Sequence, residues 1–168
     1  QEGIATELPP IGVMVEVPAA VYQARALARR VDFLSVGSND LTQYLLAVDR
    51  NNARVADLYH AYHPAVLQAL AAVASAARAE DTAVSICGEL AGDPLAAVLL
   101  MAMDYDVLSM NATSLPRVKK ALRAITRDDA SKLLEQVMGL DDSHAIQKLL
   151  EQDLSQRGLQ QFIHSPVS

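Results

Sequence analysis

The chain has 168 residues, of which 51% are apolar and 20% charged, with a formal charge of −6. No apolar run approaches the ~20 residues of a membrane span, and no basic segment leads an apolar one, so neither membrane insertion nor secretion is expected. Aromatic residues are 4% with no Trp, which leaves no base-stacking platform; the one basic stretch (Arg117, Lys119, Lys120, Arg123, Arg127) reads as a solvated helix face, so no nucleic-acid partner is expected.

Four β-rich runs recur, each followed by a helix-like segment. The first strand is expected over Ile11–Val17 (IGVMVEV), with Pro18 opening a helix that runs to about Arg30. The second strand is Asp32–Gly37, leading through Ser38-Asn39-Asp40 into a helix over Leu41–Val48. A longer helix from Pro64 to Glu80 carries Val66, Leu67, Leu70, Val73 and Ala77 on one stripe. The third strand is Ala83–Cys87, and Asp93-Pro94 reads as N-cap and first residue of a helix over Leu95–Met103. The fourth is Asp106–Met110, before a helix beginning near Leu115–Pro116. Beyond about Thr126 the pattern is helical. Asp128–Met138 and Ser143–Gln156 carry leucines at three- and four-residue spacing, Gly158 is a C-terminal stop, and His164–Ser168 is expected to fray.

The strands are continuous apolar runs, which predicts a parallel sheet covered on both faces. Strand–helix alternation gives the α/β class. Periodicity does not separate a barrel from an open sheet, and four strands do not close the eight-stranded TIM architecture. The predicted organisation is an α/β unit over residues 1–126 and a helical extension over 127–168. Opening at Gln1 without Met is consistent with a fragment of a longer polypeptide.

Polar residues gather at or just past the carboxyl end of every strand: Glu16, then Asn39 and Asp40, then Cys87 and Glu89, then Asn111. In parallel α/β folds that edge is where active sites are built. Glu16 interrupts an apolar strand, which marks either a site or the strand's emergence into solvent. Adjacent parallel strands lie about 4.8 Å apart, so Glu16 and Asp40 on neighbouring strand ends can share a cation. Mg²⁺ is satisfied by one or two carboxylates plus substrate oxygens and water. Ser38-Asn39-Asp40 also has the composition of a helix N-cap, and Arg50, ten residues past Asp40, also suits a helix C-terminus. Lone cysteines in apolar strands are mostly packing residues. Beside a dianionic site, however, a Cys87 thiol would keep its proton and serve as an acid rather than a thiolate nucleophile. One cysteine excludes an internal disulfide and suits a reducing cytoplasm. The histidines His60, His63, His144 and His164 show no metal-ligand spacing.

The run DFLSVGSNDLTQYLLAVDR (Asp32–Arg50) closely resembles the second signature of the phosphoenolpyruvate-utilising enzymes. IGVMVEVPAA (Ile11–Ala20) and ICGELAGDP (Ile86–Pro94) look like the flanking active-site strands of that family, and the resemblance covers roughly residues 11–123. YHPAVL, CGELAGDP and LSMNATSLPRVKKAL are most similar to the enzyme I branch, the phosphoenolpyruvate–protein phosphotransferases, and VMVEVPAAVY looks like its nitrogen-related paralogue.

The resemblance implies strands five to eight of a phosphoenolpyruvate/pyruvate-type TIM (β/α)₈ barrel. It implies Mg²⁺ on Glu16 and Asp40, phosphoryl contacts from Asn39 and Arg50, and Cys87 as the acid that protonates the enolate carbon. The implied reaction moves the phosphoryl group of phosphoenolpyruvate to an enzyme histidine and on to a histidine phosphocarrier protein, releasing pyruvate, in a cytoplasmic homodimer. No segment resembles the family's Gly-Thr-Ser-His phosphohistidine motif, so the chain alone is expected to be catalytically incomplete. The alternatives are a Mg²⁺-dependent pyruvate lyase or aldolase of the related barrel superfamily, and a non-catalytic dimerisation fragment.

Overall fold

Parallel strands β1 (Gly12–Val15), β2 (Phe33–Gly37), β3 (Ala83–Cys87) and β4 (Val107–Leu108) lie side by side in chain order. The structure, a computed structural model, describes residues 8–160. Helices α1 (Pro18–Tyr22) and α2 (Ala24–Ala28) link β1 to β2. Helices α3 (Ser38–Leu46) and α4 (Pro64–Ala79) link β2 to β3, and α5 (Pro94–Ala102) links β3 to β4. Helices α6 (Leu115–Arg123), α7 (Arg127–Met138) and α8 (Ser143–Gln156) follow. Short 3₁₀ turns at Ala56–Leu58 and Glu89–Gly92 lie in the connections from α3 to α4 and from β3 to α5. The expected tail, His164–Ser168, lies outside the described residues.

The α/β alternation is as expected, but several boundaries move. The first strand stops at Val15 because Val17 is already the N-cap of α1, its carbonyl accepting from Ala20 N at 3.0 Å. The helix expected from Pro18 to Arg30 is two helices. At Gln23 the backbone leaves helical dihedrals (φ −101°, ψ 2°), and its N–H reaches back three residues to Ala20 O. The fourth strand is two residues long, although Asp106 N→Val84 O (2.9 Å) and Ser109 N→Ile86 O (2.8 Å) continue the pairing on either side.

Among the described residues helices cover one face of the sheet, and the other face, also expected to be covered, is open. Burial alternates along the strands: Val15, Leu34, Val36, Val84 and Ile86 are buried toward the helices, while Met14 (43% exposed), Phe33 (37%) and Val107 (55%) stand on the opposite face. Register aligns Met14, Ser35, Ser85 and Val107 in one row of that face. One-sided cover gives a period of two in burial, but the open-face residues are themselves mostly apolar, so composition conceals the alternation.

A repeated device ties the sheet at its amino edge. Asp32 exchanges two hydrogen bonds with the neighbouring strand: its N–H donates to Ile11 O (2.8 Å), and its carboxylate accepts from Ile11 N (2.7 Å). Asp106 does the same with Val84, at 2.9 and 2.8 Å.

The covered face packs against α2, α3 and α4, the last through Val66, Leu70, Val73 and Ala77. Helix α5 buries every residue from Pro94 to Leu100 because α6, α7 and α8 close over it, as expected of a helix apolar all round. Side chains cap α5, α7 and α8: Asp93 Oδ1, Thr126 Oγ1 and Asp142 Oδ1 accept from Leu95, Asp129 and Ala145 N–H groups at 2.9, 3.1 and 2.7 Å. Gly158 (φ 75°) terminates α8, as its position predicts. Leu133, Val137, Ile146, Leu150 and Leu154 of α7 and α8 belong to the same core cluster as the sheet. Among the described residues no helix is long and apolar enough to cross a membrane.

Candidate functional site

Val15, Val36, Ile86 and Leu108 form one register row. The next row, at the carboxyl rim, therefore holds Glu16, the paired residues Gly37 and Cys87, and Ser109. The pleat turns successive side chains to opposite faces. Because Ile86 is fully buried toward the helices, Cys87 falls on the open face, where it is half-buried. Glu16 leans across Gly37: a Cβ built on that glycine would stand 2.5 Å from Glu16 Oε1. Glu16 and Cys87 thus flank a glycine on the same rim and face.

The Ser38-Asn39-Asp40 triplet does not cap α3, which corrects the N-cap reading. Helix α3 begins at Ser38, and Gly37 occupies the cap position without a side-chain bond. The triplet's polar atoms go instead to the loop after β3. Ser38 Oγ, 1% exposed, donates to Cys87 O at 2.7 Å. Asn39 Oδ1 accepts from Glu89 N at 3.1 Å, and Asn39 Nδ2 donates to Glu89 Oε1 at 3.5 Å. An amide oxygen held by a backbone N–H fixes which end of the side chain is nitrogen. One Nδ2 hydrogen then remains for another acceptor. Gly88 makes this contact possible. Its φ of 98° and ψ of −173° are essentially glycine-only, and a Cβ there would stand 2.3 Å from Ser38 Oγ and 2.9 Å from Asn39 Oδ1.

Arg50 returns to the first turn of α3 because the helix ends in a left-handed residue, Ala47 (φ 53°), after which Arg50 N donates to Gln43 Oε1 at 3.2 Å. Its guanidinium Nη2 lies 3.7 Å from Asp40 Oδ1, both side chains being about a third or more exposed (34% and 43%). Tyr59 closes the far side of the same loop, donating from its hydroxyl to Asn39 O at 3.2 Å. Burial, reinforced by the Glu89 carboxylate, raises the Tyr59 phenol above its ordinary range; the nearby Thr42 hydroxyl and Arg50 guanidinium oppose the rise.

Glu16 makes no hydrogen bond or ion pair among the described residues, and Asp40 has only the loose contact with Arg50. A half-buried, unpartnered carboxylate on a rim shared with a second one suits a cation. No group of three or more potential ligands gathers among the described residues. A divalent ion here would accordingly take two protein oxygens and complete its shell from substrate and water, as Mg²⁺ does. Glu16 and Asp40 are the carboxylates of this rim that would hold such an ion.

Asn111, also on the rim in sequence, is occupied elsewhere: its Oδ1 accepts from Ser114 N and Thr113 Oγ1, both at 2.8 Å. His63 caps α4, its Nδ1 accepting from Ala65 N at 3.1 Å, and the His60 ring meets the His144 ring edge-on at 5.3 Å. Sequence alone singles out neither Ser38 as a tie to β3, nor Gly88, nor Tyr59. The glycine directly after Cys87 is the one local signal that the backbone there approaches something closely.

The family described as PEP-utilising enzyme, PEP-binding domain, matches residues 2–127. A Salmonella typhimurium protein named phosphoenolpyruvate-dependent phosphotransferase system is 46% identical over 153 residues, covering 89% of this chain and 20% of that protein. Proteins named phosphoenolpyruvate-protein phosphotransferase are similar too. That of Haloferax volcanii is 45% identical (90% of this chain, 27% of the relative), and that of Haemophilus influenzae 44% (89% and 26%). The chain therefore spans about a fifth to a quarter of the length of these curated relatives.

Proposed function

This chain belongs to the phosphoenolpyruvate-utilising enzymes, through their phosphoenolpyruvate-binding domain, and on that premise we propose that it forms the phosphoenolpyruvate site of a phosphoenolpyruvate–protein phosphotransferase. Its four strands are strands five to eight of a (β/α)₈ barrel, with residues 1–126 as barrel and 127–168 as helical extension. The other strands and the phosphorylated histidine come from segments outside these residues. A histidine phosphocarrier protein is the final acceptor, and the assembled enzyme is a cytoplasmic homodimer.

The roles follow from the chemistry of each group. Glu16 and Asp40 would hold Mg²⁺, which when bound would neutralise negative charge developing on the substrate. Arg50 and the remaining Nδ2 hydrogen of Asn39 bind phosphoryl oxygens. As a histidine nitrogen takes the phosphoryl group, the P–O bond to the enol breaks. Cys87 then gives its Sγ proton to C3 of the enolate, a C–H bond forms, and solvent reprotonates the thiolate.

What supports this reading is that Glu16 and Cys87 flank Gly37 on one rim, that Asn39 bonds Glu89 beyond β3, that Arg50 lies 3.7 Å from Asp40, and that Glu16 has no partner among the described residues. The names of the relatives favour phosphoryl transfer over the aldol cleavage of a pyruvate lyase. Charge-assisted contacts are worth about 1.5–3 kcal/mol each, so a site lacking several of them is expected to bind substrate weakly and not to turn it over. The test is an NMR titration of the labelled chain with Mg²⁺ and millimolar phosphoenolpyruvate. Saturable, Mg²⁺-dependent shifts at Gly37, Asp40, Arg50 and Cys87 are expected, and silence at all four refutes the reading.

A further inference from the structure

The loop from Ala47 to His63 leaves the site with Arg50 and comes back with Tyr59, which lies at the end of the 3₁₀ turn and donates its own N–H to Ala56 O at 2.9 Å. The half-buried phenol reaches the first turn of α3, where its hydroxyl bonds Asn39 O at 3.2 Å. That oxygen belongs to the planar peptide unit that joins Asn39 to Asp40, so a donor pinning it restrains the backbone between the expected phosphoryl contact and the expected metal ligand. Around the hydroxyl lie Thr42, Arg50 and Glu89. The Thr42 and Arg50 side chains interact with that hydroxyl, and Thr42 Oγ1 and Arg50 Nη1 are buried atoms. Resting on the phosphoenolpyruvate reading, we propose that Tyr59 is a positioning residue of this site: its hydroxyl clasps the Asn39–Asp40 peptide and so sets how both residues meet a bound phosphoryl group and its metal. Buried beside Glu89, the phenol keeps its proton and remains a donor across the neutral range.

The experiment compares the wild-type chain, Tyr59→Phe, and a chain with 3-fluorotyrosine at position 59. The readouts are the Asp40 backbone amide, the Asn39 carbonyl ¹³C, and affinity for Mg²⁺ with phosphoenolpyruvate. Removing the hydroxyl should move the Asp40 and Asn39 resonances, leave those of α7 and α8 in place, and weaken binding about fivefold, the value of one ordinary hydrogen bond. The fluorinated side chain keeps the hydroxyl and should restore affinity. Being a more acidic donor, it should also move the Asn39 carbonyl ¹³C downfield of its wild-type position, a readout that needs only the fluorinated and wild-type chains and stands even if the Phe variant does not fold. An unmoved Asp40 amide in Tyr59→Phe overturns the proposal, as does unchanged affinity in a variant whose Asp40 amide has moved. If the wild type is silent to phosphoenolpyruvate while the Asp40 amide still responds in Tyr59→Phe, the ligand reading falls and the clasp stands.

Discussion

Ser38 Oγ donates a 2.7 Å hydrogen bond to the backbone carbonyl of Cys87, joining the first helical residue after one strand to the last residue of the next. The contact depends on Gly88, where a Cβ would stand 2.3 Å from that oxygen on a backbone of φ 98°. Gly88→Ala is therefore expected to cost about 1–3 kcal/mol in backbone strain alone and to displace Asn39 as well. Urea unfolding measures the first effect and phosphoenolpyruvate titration the second. Wild-type values in both would contradict this account of the rim.

Gly37→Ala isolates the placement of Glu16. At φ −85° and ψ 89° the backbone accepts a side chain, but the new methyl would stand 2.5 Å from Glu16 Oε1. The flexible carboxylate will swing aside, so stability should change little. Mg²⁺-dependent phosphoenolpyruvate affinity should fall about ten- to a hundredfold, as when metal ligands lose their support. Calorimetric titration of both proteins decides the matter.

Replacing Cys87 by Ala separates binding from chemistry. Within a full-length phosphotransferase carrying this segment, binding of Mg²⁺ and phosphoenolpyruvate should persist. Deuterium incorporation at C3 of pyruvate should slow by about 10²–10⁴, the usual contribution of a positioned acid. Retained incorporation would assign the proton to another group.

Glu80 provides a pH-dependent link between α2 and α4. Arg29 and Arg25 donate to its carboxylate, with contacts of 2.9 and 2.5 Å, and lower its pKa from 4.5 to about 2. A carboxylate depressed in the folded state stabilises fully above 4.5, and this contribution is lost as pH falls toward 2. Between pH 5 and pH 3, urea midpoints of Glu80→Gln should fall less steeply than those of wild type. Parallel slopes would show that the ion pairs do not act.

Tyr62→Phe tests the anchor of the loop bearing Arg50. The buried Tyr62 hydroxyl donates to Asp93 Oδ2 at 2.6 Å, while Asp93 Oδ1 caps α5. Removing the hydroxyl leaves a carboxylate oxygen short of a partner, at an expected cost of about 1–3 kcal/mol by thermal or urea unfolding.

The order of elements was legible because β-rich runs and helical stripes differ in period, and the rim was legible because carboxylates, amides and a thiol stood at strand ends. The open face was not. Met14, Phe33 and Val107 are as apolar as Val15, Leu34 and Leu108, so residue type does not tell which row faces the helices. Ser38 and Asn39 read as capping residues because capping and cross-loop bonding demand the same short polar side chains; the partner that decides lies some fifty positions away at Cys87 and Glu89. Tyr59 gave no signal because its role is a single bond to a backbone oxygen twenty residues earlier.

The paired aspartates at the opposite edge have a consequence for how this scaffold can change. Asp32 and Asp106 fasten neighbouring strands where no chemistry is expected, which leaves the loops beyond Val15, Gly37 and Cys87 less burdened with holding the sheet in register. Variation in reactivity should accumulate in those loops, whereas exchange of either aspartate should damage folding whatever reaction the rim performs.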